Sequence, residues 1–240
     1  MQLLLLDLEG TTTAIDFVHR TLFPYARDAM AGFLSRAAGD PAVEAILARL
    51  LDERRQEDEP AAASCPAYSA DGSPLPYLEW LMDRDRKSPA LKALQGLVWK
   101  VGYETGEIRG HVFEDVPPAL RTLRERSIPV CIYSSGSVLA QQLLFRHSTF
   151  GDLTPLVATW FDTAVGPKVE RSSYETILQE LQLRHHTVAP GEVLFASDNP
   201  LELRAADGAG MATVLFLRPG NAPCVTTGFR TAHSLHDLLV

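Results

Sequence analysis

Four short apolar runs without internal alternation punctuate the chain: Leu3–Leu6, Val130–Tyr133, Val193–Ala196 and Val214–Leu217. Such runs predict strands buried on both faces, as in a parallel sheet covered by helices on either side. Between the later runs lie the amphipathic stretches Val138–Phe145, Tyr174–Leu183 and Leu201–Ala206. Strand–helix alternation implies right-handed βαβ crossovers, so the expected fold is α/β with a doubly wound, mostly parallel sheet. The rhythm breaks once. More than a hundred residues separate Leu6 from Val130, and their apolar positions recur at helical intervals. Val43, Ile46, Leu47, Leu50 and Leu51 mark one helix face, and Leu91, Leu94, Val98 and Val101 another. Pro60 to Pro76, rich in Ala, Ser and Pro with Asp71-Gly72 as a turn signal, predicts a long loop between them. The expected organisation is a core of residues 1–13 and 108–240, with residues 14–107 as a helical cap inserted after the first strand.

A hydrophobic fraction of 46% with 22% charged residues suits a globular chain able to bury such a core. The formal net charge of −8 argues against nucleic acid or an anionic membrane as partner, while allowing an anionic small molecule held by local cations. The Leu3–Leu6 run is too short for a signal-peptide core, lacks a basic segment before it and is stopped by Asp7. No run approaches the ~20 apolar residues of a membrane span. A cytoplasmic location is therefore expected. Cys65, Cys131 and Cys224 fit neither a zinc spacing nor a disulfide framework, and Cys131 reads as a buried small hydrophobe. His185 and His186 read as solvated side chains.

The candidate chemistry sits directly after the apolar runs, and an open α/β sheet binds its ligands outside the carboxyl ends of its strands. Asp7-Leu8-Glu9-Gly10-Thr11 follows the first run. A carboxylate there can attack phosphorus, and a second one two positions on can handle a proton or support a metal. Ser134-Ser135-Gly136-Ser137 follows the second run, where hydroxyls and successive N–H groups at the start of a helix can cradle phosphate oxygens. Lys168 stands in the loop segment Val165–Glu170. Ser197-Asp198-Asn199-Pro200-Leu201-Glu202 follows the third run, with Asp or Asn placed to cap a helix that begins at Pro200. The same turn suits a magnesium carboxylate at Asp198, with Glu202 behind it. These parts need one another. A carboxylate approaching a phosphate dianion brings like charges within about 4 Å, costing on the order of 4 kcal/mol per pair at an effective dielectric near 20. Mg²⁺ and Lys168 reverse that sign. Asp7 would then form an aspartyl-phosphate, with Glu9 protonating the leaving oxygen and later activating water. The combination points to a phosphatase.

These residues resemble the haloacid dehalogenase-like superfamily, and within it the enolase-phosphatase (acireductone synthase) family. The resemblance rests on Asp7-Leu8-Glu9-Gly10-Thr11-Thr12-Thr13, Leu22-Phe23-Pro24-Tyr25-Ala26, Asp85-Arg86-Lys87 with Ala90-Leu91-Lys92 and Leu94-Gln95-Gly96, and Ile132–Ser137. It continues through Leu144-Phe145, His147-Ser148, Phe161-Asp162-Thr163, Lys168-Val169-Glu170 and Arg218-Pro219-Gly220-Asn221. It implies an enzyme using one Mg²⁺ per subunit. The implied reaction enolises and then dephosphorylates 5-methylthio-2,3-dioxopentyl phosphate, giving 1,2-dihydroxy-5-methylthiopent-1-en-3-one in methionine salvage. It further implies Asp7 as nucleophile and metal ligand, Glu9 as acid/base associated with the metal, Ser134 and Ser135 on the substrate, Lys168 on substrate and charge, and Asp198 on the metal. Glu9 would reach the ion by its side chain or its backbone carbonyl. Where the superfamily usually has Gly before the last aspartate and Asp four residues after it, this chain has Ser197 and Glu202, which leaves Glu202 off the expected metal set. Lys87 is a cap candidate for the enolisation. A monomer is expected. The alternatives are a less specific magnesium phosphatase, or a silent binding protein on the same scaffold.

Overall fold

The computed structural model describes residues 1–57, 64–69, 72–184 and 188–239. His185, His186 and residues 60–63, 70 and 71 of the expected long loop lie outside the described residues. Two compact units are present: Met1–His19 with Arg109–Val240, and Arg20–Ile108. The first division falls at His19 rather than at the expected Thr13. The turn of helix Ile15–Phe17 stays with the first unit, where Phe17 lies 6.0 Å from the His111 ring.

The first unit is built on one sheet in the order β3-β2-β1-β4-β5-β6. Its strands are β1 (Leu3–Leu6), β2 (Val130–Tyr133), β3 (Thr159–Phe161), β4 (Val193–Ser197), β5 (Ala212–Phe216) and β6 (Thr231–Ala232). Every neighbouring pair is parallel. β1 lies between β2 and β4, and its four leucines are fully buried, which accounts for the unbroken apolar run. Leu3 and Leu5 pack with Tyr174, Ile177 and Phe195, at about 1.5–3 kcal/mol for each buried leucine. β5 begins two residues before the expected Val214, because pairing with β4 starts at Leu194↔Ala212 and hydrogen bonding, not hydropathy, sets its start. β3 and β6 are too short to carry a periodic signal. Strand order reverses between β1 and β4, which opens a crevice at their carboxyl ends.

The second unit contains the helices Phe23–Arg36, Pro41–Arg55, Leu75–Asp83 and Pro89–Thr105. Asp40 and Ser88 cap two of them, accepting from Ala42 N and Leu91 N, each ahead of a proline at the first helical position. Leu91, Leu94 and Val98 of the expected stripe are buried, as are Val43 and Leu50. No helix among the described residues is long and apolar enough to cross a membrane.

Two polar ties hold the β1 loop in the first unit. Arg218, buried after β5, forms a bidentate pair with Asp115 at 2.8 Å for both bonds. It also donates to Thr11 O at 3.0 Å and His233 O at 2.9 Å. Removing one partner leaves a buried charge uncompensated. Arg218→Ala is therefore expected to lower unfolding free energy by about 3–5 kcal/mol in urea titrations, and Arg218→Lys to fall well short of rescue because an ammonium cannot reproduce the fork.

His111 Nδ1 lies 3.1 Å from Thr13 Oγ1 and accepts from Ala14 N at 3.2 Å, so that nitrogen carries no proton. Burial holds this imidazole below its ordinary range. The folded state thus binds the proton less readily than the unfolded one. Its stabilising contribution is present above an unfolded-state value near 6.5 and is lost as pH falls towards the folded value. An NMR titration should place His111 below 6.5, and His111→Gln should flatten the decline of the unfolding midpoint below that pH.

Candidate active site

Asp7 stands directly after β1, buried, with Leu8 N donating to its Oδ1 at 2.7 Å. Lys168 Nζ lies 2.5 Å from the same Oδ1 and 2.7 Å from Glu202 Oε2. Ser197, the last residue of β4, places Oγ 3.2 Å from Asp7 Oδ2 and 2.9 Å from Glu202 Oε2. Its single hydroxyl proton can serve one of those carboxylates at a time. Asn199 N donates to Ser197 Oγ at 3.1 Å, and Asn199 caps the helix Pro200–Gly208 that carries Glu202.

The loop bearing Lys168 is fixed by three hydroxyls. Tyr133 Oη donates to Gly166 O at 2.9 Å, Ser173 Oγ to Pro167 O at 2.7 Å and Tyr174 Oη to Lys168 O at 2.7 Å. Tyr133 belongs to β2, and Ser173 and Tyr174 to the helix Arg171–Arg184. A residue that in sequence stands alone on a polar loop is thereby delivered into the interior.

Burial pulls the Lys168 ammonium down, but the adjacent Asp7 and Glu202 carboxylates outweigh it and hold its pKa above the ordinary lysine value. Asp198 is pushed up to about 7 by burial, then by Asp7 and Glu202, against the opposing pull of Lys168. Glu202 is raised by burial and then by Asp7. Glu9 is raised by burial and then by Asp7, with Lys168 opposing. The acidic groups Asp7, Glu9, Asp198 and Glu202 thus outnumber the lysine that opposes their charge.

Gly10 brings Asp198 close. At φ 70° its backbone is left-handed, and a Cβ there would lie 2.2 Å from Asp198 Oδ2 and 3.0 Å from Asn221 Oδ1. Asn221 Oδ1 is buried and lacks a hydrogen-bond partner among the described residues. Hard oxygen donors, a deficit of positive charge and an orphaned acceptor suit magnesium at Asp7 and Asp198. Among the described residues no group of three or more His, Cys, Asp or Glu side chains forms a ready-made cage. Magnesium does not need one, since it is usually held by one or two carboxylates and keeps several waters.

Ser134, buried after β2, accepts from Gly136 N at 3.1 Å, while Ser135 is exposed beside it. Ser137 caps the helix Val138–Arg146, and Gln141 Nε2 donates to Gly136 O at 2.8 Å and Phe161 O at 2.9 Å, bracing the turn. Lys87 lies exposed in the second unit, between the helices Leu75–Asp83 and Pro89–Thr105. Sequence reasoning gave no role to Ser197 or Asn221. The strand-end rule that singled out Asp7 and Asp198 also reaches both, because Ser197 closes β4 and Asn221 lies in the loop after β5.

The family model for haloacid dehalogenase-like hydrolases matches residues 1–210. The chain is 48% identical over 237 residues to Enolase-phosphatase E1 of Synechococcus elongatus, covering 98% of this chain and 96% of that protein. It is 47% identical over 234 residues to Enolase-phosphatase E1 of Sorangium cellulosum, at 98% and 95% coverage. Among solved structures it is similar to the UTR4 protein of Saccharomyces cerevisiae, with a TM-score of 0.74, 36% identity and 97% of each chain covered.

Gly10→Ala tests how tightly the site is drawn together. A methyl group there meets Asp198 and also forces a left-handed alanine, a backbone penalty of roughly 1–2 kcal/mol. The variant should fold with a lowered unfolding midpoint and lose most of its Mg²⁺ binding in calorimetric titration; unchanged binding would contradict the close approach.

Proposed function

The chain belongs to the haloacid dehalogenase-like hydrolases and, within them, to the enolase-phosphatase E1 family, and on that premise we propose the reaction it performs. It is a phosphatase that converts 5-methylthio-2,3-dioxopentyl phosphate to 1,2-dihydroxy-5-methylthiopent-1-en-3-one and phosphate, a step of methionine salvage. The observation that carries this reading is the buried lysine bridge, with Lys168 Nζ 2.5 Å from Asp7 Oδ1 and 2.7 Å from Glu202 Oε2 at the crevice between β1 and β4.

Asp7 is the nucleophile. Its Oδ1 is held by Lys168 and by Leu8 N, and its Oδ2 faces Ser197, so the carboxylate is oriented before substrate arrives. Attack on phosphorus forms the bond from Asp7 to the phosphoryl group and breaks the bond to the substrate oxygen. Glu9, whose carboxyl burial and Asp7 keep more protonated than an exposed one, gives that oxygen its proton. Glu9 then takes a proton from the water that hydrolyses the aspartyl-phosphate, which returns Asp7 as a free carboxylate. Lys168 offsets the charge of nucleophile and phosphate. Ser134 and Ser135 bind phosphoryl oxygens from the β2 turn, where the helix Val138–Arg146 begins. Asp7 and Asp198 hold one Mg²⁺ per chain, with Glu9 contributing by side chain or carbonyl, and the ion when bound supplies positive charge against the phosphoryl oxygens.

For the preceding enolisation, Glu9 and Lys87 are the groups read as taking the carbon-bound proton and holding the enolate oxygen. The helical unit Arg20–Ile108 is the part given the task of selecting the methylthio tail. The enzyme works as a cytoplasmic monomer.

Purified protein, Mg²⁺ and the diketone phosphate should yield enol absorbance and free phosphate together, and chelation by EDTA should stop phosphate release. Sugar phosphates turned over equally well would replace this substrate with a broader range. Asp7→Asn should lower phosphate release by at least about three powers of ten, equivalent to ~4 kcal/mol at ~1.4 kcal/mol per decade, with a native circular dichroism spectrum. Activity retained by Asp7→Asn would rule out the covalent route.

A further inference from the structure

The loop after β5 folds back towards the β1 loop at Asn221. Its Nδ2 donates to Gly10 O at 2.9 Å and to Phe216 O at 3.4 Å. These two carbonyl acceptors settle which end of the carboxamide is nitrogen, because the reverse placement would set oxygen against oxygen. Oδ1 therefore faces the other way. It is buried, takes no hydrogen bond among the described residues, and stands 3.0 Å from the position a Gly10 Cβ would fill. Asp198 Oδ2 lies 2.2 Å from that same position. Two oxygens thus approach one position, and the one on Asn221 is a buried acceptor without a hydrogen bond among the described residues, a state that is costly.

We propose that Asn221 Oδ1 accepts a hydrogen bond from a water held by the Mg²⁺ that Asp198 binds, making Asn221 a positioning residue for that ion. The inference rests on the reading of Asp7 and Asp198 as magnesium ligands. Magnesium sheds its waters reluctantly, and a water polarised by a dication donates strongly, so a neutral amide oxygen is a suited acceptor. The opposite end of the same carboxamide is tied to Gly10 O, in the loop that follows Asp7. One side chain therefore joins the β1 loop, the β5 loop and the ion.

Calorimetric titration of Mg²⁺ alone into the substrate-free full chain tests this without reference to turnover. Asn221→Ala should weaken Mg²⁺ binding about tenfold, the size of effect typical of residues that orient a metal's ligands. Asn221→Asp also loses the donor to Gly10 O but keeps an oxygen towards Asp198, and should bind Mg²⁺ clearly more tightly than the alanine variant. Affinity within about twofold of wild type in Asn221→Ala would overturn the proposal, being far short of the effect expected for such a residue. Equal weakness in both variants would overturn it too, because the lost tie to Gly10 would then explain the effect. Absence of Mg²⁺ binding by the wild-type chain would instead remove the magnesium reading beneath it.

Discussion

A buried ammonium set between two buried carboxylates governs the functional edge of this sheet. Taking Lys168, Asp7 and Glu202 out of water carries a desolvation penalty of several kcal/mol per ion, which only close contact and further hydrogen bonds can offset. The structure meets that condition with Leu8 N on Asp7, Ser197 Oγ between Asp7 and Glu202, and Asn199 Nδ2 at 3.3 Å from Glu202 Oε1. It also fixes the backbone that presents the lysine, through Tyr133, Ser173 and Tyr174. Loss of Lys168 would leave acidic groups facing one another without their counter-charge. Burial, and after it the Asp7 carboxylate, raise Asp198 and Glu9, and acids packed this closely make the edge receptive to a divalent cation.

Sheet topology makes this convergence possible. Because the strands are parallel and β1 is central, the loops leaving β1, β2, β3 and β4 all emerge at one edge. The reversal of strand order beside β1 then opens room there. The β1 loop is nevertheless held tightly. Thr12 N and Thr13 N both bond to Leu8 O at 2.9 Å, Arg218 takes Thr11 O and Asn221 takes Gly10 O. The nucleophile proposed at Asp7 would on such a loop need little reorganisation as charge develops, which is the physical content of preorganisation.

The helical unit has its own logic. Tyr77, Leu78, Leu81, Leu91 and Leu94 give it an apolar interior. Glu57 accepts from Tyr77 Oη at 2.9 Å and Arg86 at 2.5 Å, while Glu53 accepts from Ala90 N at 3.1 Å and from Ser88 Oγ. The turn carrying Lys87 is therefore braced by Glu53 of the helix Pro41–Arg55 and by Glu57 just beyond its end.

Sequence alone determined the parts that depend on local pattern. Leu3–Leu6, Val130–Tyr133 and Val193–Ala196 announce buried strands because both of their faces are covered, and the helical stripes around Leu47 and Leu94 announce the insert. The position of Asp7, Ser134 and Asp198 after such runs marks them as candidates, since strand ends are where a parallel sheet exposes its chemistry. Tertiary structure decided what no local pattern encodes. Lys168 is a candidate in the sequence only by its residue type, and two tyrosines and a serine from distant elements are what draw it inward, while the direct pairing of Glu202 with that lysine has no local signal at all. Ser197 and Asn221 acquire meaning only because β4 and β5 lie beside β1, and Thr159–Phe161 and Thr231–Ala232 become strands only by pairing with a sheet already formed. The physical reason is the same throughout: burial and propensity act on neighbours in sequence, whereas charge pairing and strand pairing act on neighbours in space.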